Sequence, residues 1–133
     1  MNSVGGLDLG ILTGKSVLVV EDDALIALVL EEVLAEAGMN VAGSAASVDA
    51  ALAQLAGGKP DIAILDASLD GQNSGEVARE LQRRGVPFIF ATGHREAGLQ
   101  QHFPGVPILT KPYLEGELLG ALAGLFPPTN TGR

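Results

Sequence analysis

The amino-acid sequence predicts an α/β protein built on a doubly wound, five-stranded parallel sheet. From Lys15 onward, strand-like runs alternate with helix-like segments five times, the pattern of βα units joined by right-handed crossovers. The apolar runs SVLVV (16–20), DIAIL (61–65), PFIFA (87–91) and VPILT (106–110) are nearly continuous, as befits strands buried on both faces. Length and composition agree. The chain has 133 residues, 47% apolar and 18% charged, enough for one domain around one core.

Each element has a local reason. Residues 1–14 are Gly-rich and aperiodic and read as a flexible leader. The first strand, 16–20, leads into a helix over 23–37, with Asp22 or Asp23 near its N-cap and Gly38 ending it. Residues 41–44 form a short second strand. Ser47 caps a helix reaching Ala56, which Gly57-Gly58 stops. After the third strand, Asn73-x-x-Glu76 resembles a capping box and opens a helix to Arg84. A short helix over 95–102 follows the fourth strand. The last helix, 114–126, starts after Pro112 and ends at Pro127-Pro128. Residues 127–133 form a polar tail, so the domain occupies 15–126 and nothing is left for a second one.

Charge and composition narrow the function. The net charge is −8, and all of it lies in the first half. Residues 1–66 hold ten acids against Lys15 and Lys59, whereas residues 67–133 hold six charges of each sign. No basic stripe exists for a phosphate backbone, so nucleic acid is not an expected partner. Cysteine is absent, which excludes disulfide and thiolate chemistry. Residues 1–14 lack the basic-then-apolar pattern of a signal peptide. The longest wholly apolar run, 24–30, is far too short to span a bilayer. The expectation is a cytoplasmic protein without a membrane partner.

Five polar positions stand where apolar strands run out: Glu21-Asp22, Asp66, Thr92 and Lys111. In an open α/β sheet the functional crevice lies beyond the carboxyl ends of the strands, so these groups are expected to meet. Three clustered carboxylates repel one another by roughly 1 kcal/mol per pair at 4 Å in water, and by several times more when partly buried. A cation relieves that cost. Mg²⁺ suits it, taking one or two carboxylates together with waters and a phosphate oxygen. Asp66 is the candidate nucleophile, because a carboxylate can accept a phosphoryl group. Lys111 supplies an ammonium to pair with Asp66 and then with the phosphoryl group. Thr92 supplies a hydroxyl, and Gly93 leaves room beside it. Lys111-Pro112 is a candidate cis peptide bond that would fix the direction of the lysine.

In this order and spacing, VLVVEDD, DIAILDASLDG, Thr92 and Lys111-Pro112 resemble the response-regulator receiver domains of two-component signalling over residues 15–126. The resemblance implies a (βα)5 flavodoxin-like fold with strand order 2-1-3-4-5. It implies a Mg²⁺ site made by Glu21, Asp22, Asp66 and the backbone carbonyl of Ser68. It also implies that Asp66 takes its phosphoryl group from a histidine kinase or histidine phosphotransferase, with Thr92 and Lys111 assisting. Such a domain catalyses its own phosphotransfer and dephosphorylation and is not a conventional turnover enzyme.

More narrowly, PFIFATG (87–93) followed by KPY (111–113) is similar to a bacterial subgroup marked by Phe-Ala-Thr-Gly, whose kinases are of the HWE or related type. This chain departs from the family pattern at several positions. His94 and Arg95 stand where the subgroup carries an aromatic residue, Asp70 replaces a common proline, and Ile108 replaces the usual rotating aromatic. The last change predicts that the signal leaves through residues 92–102. Ser68 and His94 occupy the positions that face the phosphoryl group in this family, although His94 by itself reads as an exposed loop residue.

Two surfaces and three rival readings complete the expectation. Gly116, Gly120 and Gly124 recur at helical spacing in the last helix, which reads as a short, tolerant helix carried by Leu118, Leu119, Leu122 and Phe126, or else as a flat face that a partner helix or a second copy of the chain would fit. The apolar first helix (ALIALVL) reads as buried. The expected module acts by phosphorylation-dependent contact with an unknown downstream protein, since no output domain follows. The rivals are a phosphate sink, a phosphorylation-independent adaptor and a metal-dependent phosphatase. Against the last, haloacid-dehalogenase-like enzymes want an Asp where this chain has Ser68.

Overall fold

The computed structural model describes residues 3–4, 7–69, 71–93 and 98–126. Five strands form one parallel sheet: β1 (Ser16–Val20), β2 (Asn40–Ala45), β3 (Ile62–Asp66), β4 (Phe88–Thr92) and β5 (Ile108–Thr110). Their order is β2-β1-β3-β4-β5, as expected from the resemblance. The helices between them are α1 (Ala24–Glu36), α2 (Val48–Gly57), α3 (Gly75–Arg83), α4 (Leu99–His102) and α5 (Glu115–Ala123).

Alternation along each strand divides the core between two faces. Leu18, Val20, Ala63, Leu65, Phe88 and Phe90 pack with Ala51 and Leu55 of α2 and with Val77, Ala78 and Leu81 of α3. Val17, Val19, Ile62, Ile64, Ile89 and Ala91 pack with Leu30 and Leu34 of α1 and with Leu118 and Leu122 of α5. On the first of these faces Phe103, which follows α4, closes an aromatic cluster. Its ring lies 5.4 Å from that of Phe90 and 6.5 Å from that of Phe88, centroid to centroid.

The helix ends are set largely as the sequence requires. Asp23 caps α1, accepting the N–H groups of Leu25 and Ile26. Ser47 caps α2 by accepting from Ala50. Gly38, at φ 87°, takes the left-handed conformation that ends α1.

Four local expectations fail. The leader is not loose from Leu9 on: Leu9–Leu12 forms a 3₁₀ turn whose Leu9 and Leu12 are buried against α5. The glycines around these apolar residues hide their periodicity. The capping box at Asn73 is absent, because α3 starts at Gly75 and Asn73 Oδ1 instead accepts the Gly75 N–H at 2.6 Å. Leu25, Leu28 and Val29 of α1 are exposed rather than buried. Finally, β5 and α5 are shorter than predicted, and of the helix expected over 95–102, residues 99–102 are helical while 95–97 lie outside the described residues. In the glycine row of α5, Gly116 and Gly120 are half-buried and Gly124 is exposed. His94, Arg95, Asp70 and the 127–133 tail lie outside the described residues.

Candidate functional site

Strand register brings the chemistry together. Val20 pairs with Leu65, Asp66 with Ala91 and Thr92 with Thr110. Glu21, one residue past Val20, therefore stands level with Asp66, and Lys111 follows directly after Thr110. The backbone continues to hold these ends where the strands stop. The Glu21 N–H bonds Ala45 O at 2.9 Å, and the Lys111 N–H bonds Thr92 O at 2.7 Å. The Lys111-Pro112 peptide is cis.

Lys111 Nζ lies between two carboxylates, 2.7 Å from Glu21 Oε1 and 2.9 Å from Asp66 Oδ2. The second oxygens of both acids are also held. Glu21 Oε2 accepts the Asp23 N–H at 3.1 Å, and Asp66 Oδ1 accepts the Ser68 N–H at 3.1 Å. Carboxylate oxygens of Glu21, Asp22 and Asp66 lie within 4.8 Å of one another. Glu21, Asp66 and Thr92 are buried, while Asp22 and Ser68 are exposed.

The charges decide what this arrangement favours. Three carboxylates against one ammonium leave two negative charges. At 4.8 Å each like pair costs about 3 kcal/mol in an environment of effective dielectric ~20. Burial pushes the Glu21 carboxyl above the usual carboxylate range, and the negative charge of Asp66 adds to the rise; the bonds from Lys111 and from the Asp23 N–H only partly oppose it. Burial pulls the Lys111 ammonium down, but the bonds to Glu21 and Asp66 outweigh it and hold the lysine above its ordinary value. The lysine therefore stays charged and the cluster keeps its surplus. Hard oxygen donors, a surplus of two negative charges and an exposed Asp22 fit a divalent cation of the Mg²⁺ type.

Glu21, Asp22, Asp66 and Lys111 thus come together as the sequence predicts. Thr92 is buried at the same sheet edge, and its carbonyl holds the Lys111 backbone. Ser68 reaches the site through its N–H on Asp66. Sequence reasoning missed the shape of the turn after Asp66: Ser68–Leu69 and Gln72–Asn73 pair as a small antiparallel hairpin. The dipeptide Asp70-Gly71 is a hairpin signal that could have revealed it. Beside the site, a groove of about 610 Å³ runs between α1 and α5, lined by Leu25, Ile26, Val29, Val33, Tyr113 and Leu118. Among the described residues, no helix is long and apolar enough to cross a membrane.

Known proteins with these features form a consistent set. The family model for the response regulator receiver domain matches residues 17–123. The phosphate regulon transcriptional regulatory protein PhoB of Pseudomonas aeruginosa is 30% identical over 128 residues, covering 91% of this chain and 56% of its own. The transcriptional regulatory protein PdtaR of Mycobacterium tuberculosis is 28% identical over 112 residues, covering 81% and 55%. The solution structure of SdrG from Sphingomonas melonis Fr1 superposes with a TM-score of 0.75 at 38% identity, covering 84% of this chain and 96% of SdrG. The chain thus spans about half the length of these two curated relatives, and nearly all of the SdrG chain.

Proposed function

The chain belongs to the response regulator receiver domain family, and from that premise we propose that it is a Mg²⁺-dependent phosphoacceptor with Asp66 as the acceptor. The observation that carries this reading is Lys111 Nζ held 2.9 Å from Asp66 Oδ2, within a cluster of three carboxylates that retains two negative charges. The family is typically a signalling module rather than a turnover enzyme.

In the proposed step, a carboxylate oxygen of Asp66 attacks the phosphorus of a phosphohistidine. The P–N bond breaks, its electron pair returns to the imidazole, and an acyl phosphate forms on Asp66. Positioning and charge neutralisation do most of the work in such a transfer. Lys111 moves its hydrogen bond from Asp66 to a phosphoryl oxygen, and the Thr92 hydroxyl donates to another. Glu21, Asp22, Asp66 and the Ser68 carbonyl would hold Mg²⁺, which when bound supplies the remaining neutralisation.

The donor is proposed to be a histidine kinase, of the HWE type by resemblance, or a histidine phosphotransferase. The exposed Leu25 and Val29, which line the α1–α5 groove beside the site, support docking of a donor helix there, with the exposed Leu28 on the same helix. For the outgoing signal, Phe88, Phe90 and Thr92 alternate onto one face of β4, and Phe103 packs on both rings directly after α4. That contact supports a route from Thr92 to α4 in place of an aromatic at Ile108.

The test is intact-mass measurement after incubation with Mg²⁺ and acetyl phosphate or phosphoramidate, beside Asp66→Asn. A Mg²⁺-dependent gain of one phosphoryl group, absent from the variant, is expected. No gain from either small donor or from a kinase mixture would overturn the reading in favour of an adaptor.

A further inference from the structure

The turn that carries Asp66 into α3 is closed on itself. Ser68 pairs with Asn73 and Leu69 with Gln72, Gly71 turns the chain at φ 81°, and the Ser74 N–H bonds Ala67 O at 3.1 Å. Leu69, 1% exposed, anchors the hairpin in the core. One side chain then joins the hairpin to the helix: Asn73 Oδ1 accepts the N–H of Gly75, the first residue of α3, at 2.6 Å. Ser74 does not share that duty. It makes no side-chain cap bond, and its hydroxyl is buried without a hydrogen-bond partner among the described residues.

Gly75 makes room for the contact. A Cβ at that position would stand 2.8 Å from Asn73 Oδ1 and 3.3 Å from Arg79 Nη1. Asn73 is therefore fixed from two directions, by its pairing with Ser68 and by its bond to the helix. Ser68 in turn donates to Asp66 Oδ1.

We propose that Asn73 is a positioning residue for the cation and phosphoryl site: its bond to Gly75 fixes the backbone opposite Ser68, and thereby the Ser68 backbone and the Asp66 oxygen that Ser68 holds. This rests on the Mg²⁺-dependent phosphoacceptor function proposed above. Groups that orient metal ligands typically change metal affinity by about 10- to 100-fold when removed. Asn73 acts one residue pair away from the ligands, so the lower end, about tenfold, is expected.

The experiment is an NMR titration of the ¹⁵N-labelled full chain with MgCl₂, together with amide hydrogen exchange at Ser68, on wild type, Asn73→Ala, Asn73→Asp and Gly75→Ala. Asn73→Ala is expected to weaken Mg²⁺ binding about tenfold and to speed Ser68 exchange while melting close to wild type. Asn73→Asp, whose carboxylate can accept the same N–H, should restore slow exchange. That readout separates positioning from the mere addition of a negative charge. Gly75→Ala, which crowds the same oxygen while leaving asparagine at position 73, should weaken Mg²⁺ binding as well. Wild-type affinity and wild-type Ser68 exchange in both Asn73→Ala and Gly75→Ala would overturn the proposal, as would exchange in Asn73→Asp as fast as in Asn73→Ala. Wild type that fails to bind Mg²⁺, or an added Asp66→Asn control that binds equally well, would remove the proposed Mg²⁺-dependent phosphoacceptor function and this proposal with it.

Discussion

Replacing Lys111 by Met tests how the cation-free site is held together. Lys111 Nζ lies 2.7 Å from Glu21 and 2.9 Å from Asp66. At an effective dielectric of ~20 each contact carries about 6 kcal/mol of gross attraction. Desolvation of the three groups offsets most of that. Removing one partner of a buried pair costs about 3–5 kcal/mol, because the other charge is left uncompensated. The lysine side chain is 19% exposed against 3% for Glu21, so the lower end, about 3 kcal/mol, is expected at neutral pH. For a chain of this size that lowers the melting temperature by roughly 10 °C.

The pH dependence has a definite sign. Glu21 is already pushed above its ordinary carboxylate value, chiefly by burial, and loss of the ammonium raises it further. A group whose folded-state pKa is raised contributes stability below its unfolded pKa and loses that contribution as pH rises through the folded value. The variant should therefore lose most at neutral pH and approach wild type as acid protonates Glu21. The assay is thermal and urea unfolding by circular dichroism at neutral and mildly acidic pH, without and with MgCl₂. Mg²⁺ should raise the midpoint of the variant more than that of wild type, because it replaces the missing positive charge. Equal midpoints for the two proteins at neutral pH without Mg²⁺ would refute the reasoning.

Two further outcomes follow from the proposed partner and the proposed route. The double change Leu25→Glu and Leu28→Glu, on an exposed part of α1, should abolish transfer from a histidine kinase while leaving phosphorylation by acetyl phosphate intact; paired mass measurements with the two donors decide it, and equal loss with both would exclude a docking role. Phe103→Ala removes a buried ring and should cost about 3–5 kcal/mol. In wild type, beryllofluoride should shift amides from Thr92 to His102, and in Phe103→Ala the shifts beyond α4 should shrink; an unmoved wild-type segment would sink the route through α4.

The sheet was legible because its signal is redundant. Four apolar runs, each ending in a polar residue, are hard to place in any other layout, and the same endings named Glu21, Asp22, Asp66 and Lys111 before any geometry was known. Register turns those endings into contacts: one residue past Val20 is level with Asp66, and Lys111 stands two residues past Leu109, the β5 residue at that level. Lys111 contacting Glu21 as well as Asp66 was not legible, because side-chain reach across three strands depends on sheet twist and on a cis peptide that sequence offers only as an option. The buried Leu9–Leu12 turn and the hairpin after Asp66 were missed for a different reason. Both are short and punctuated by glycine, so no periodicity builds up over them, and the hairpin's signal is confined to the dipeptide Asp70-Gly71.

The first helix shows where periodicity fails outright. Its run ALIALVL is apolar all round, so no polar face marks which side meets solvent, and burial is the default reading. In the fold, Ala27, Leu30 and Leu34 turn toward the sheet, and a cylinder packed on one side must leave the other uncovered. Leu25, Leu28 and Val29 fall there. Leu25 at 69% exposed gains nothing for the folded domain by being leucine. A polar residue at that position would leave the core untouched and keep the chain more soluble. Leu25 and Val29 instead line the groove between α1 and α5 that opens beside Lys111, where the proposed phosphoryl donor would approach.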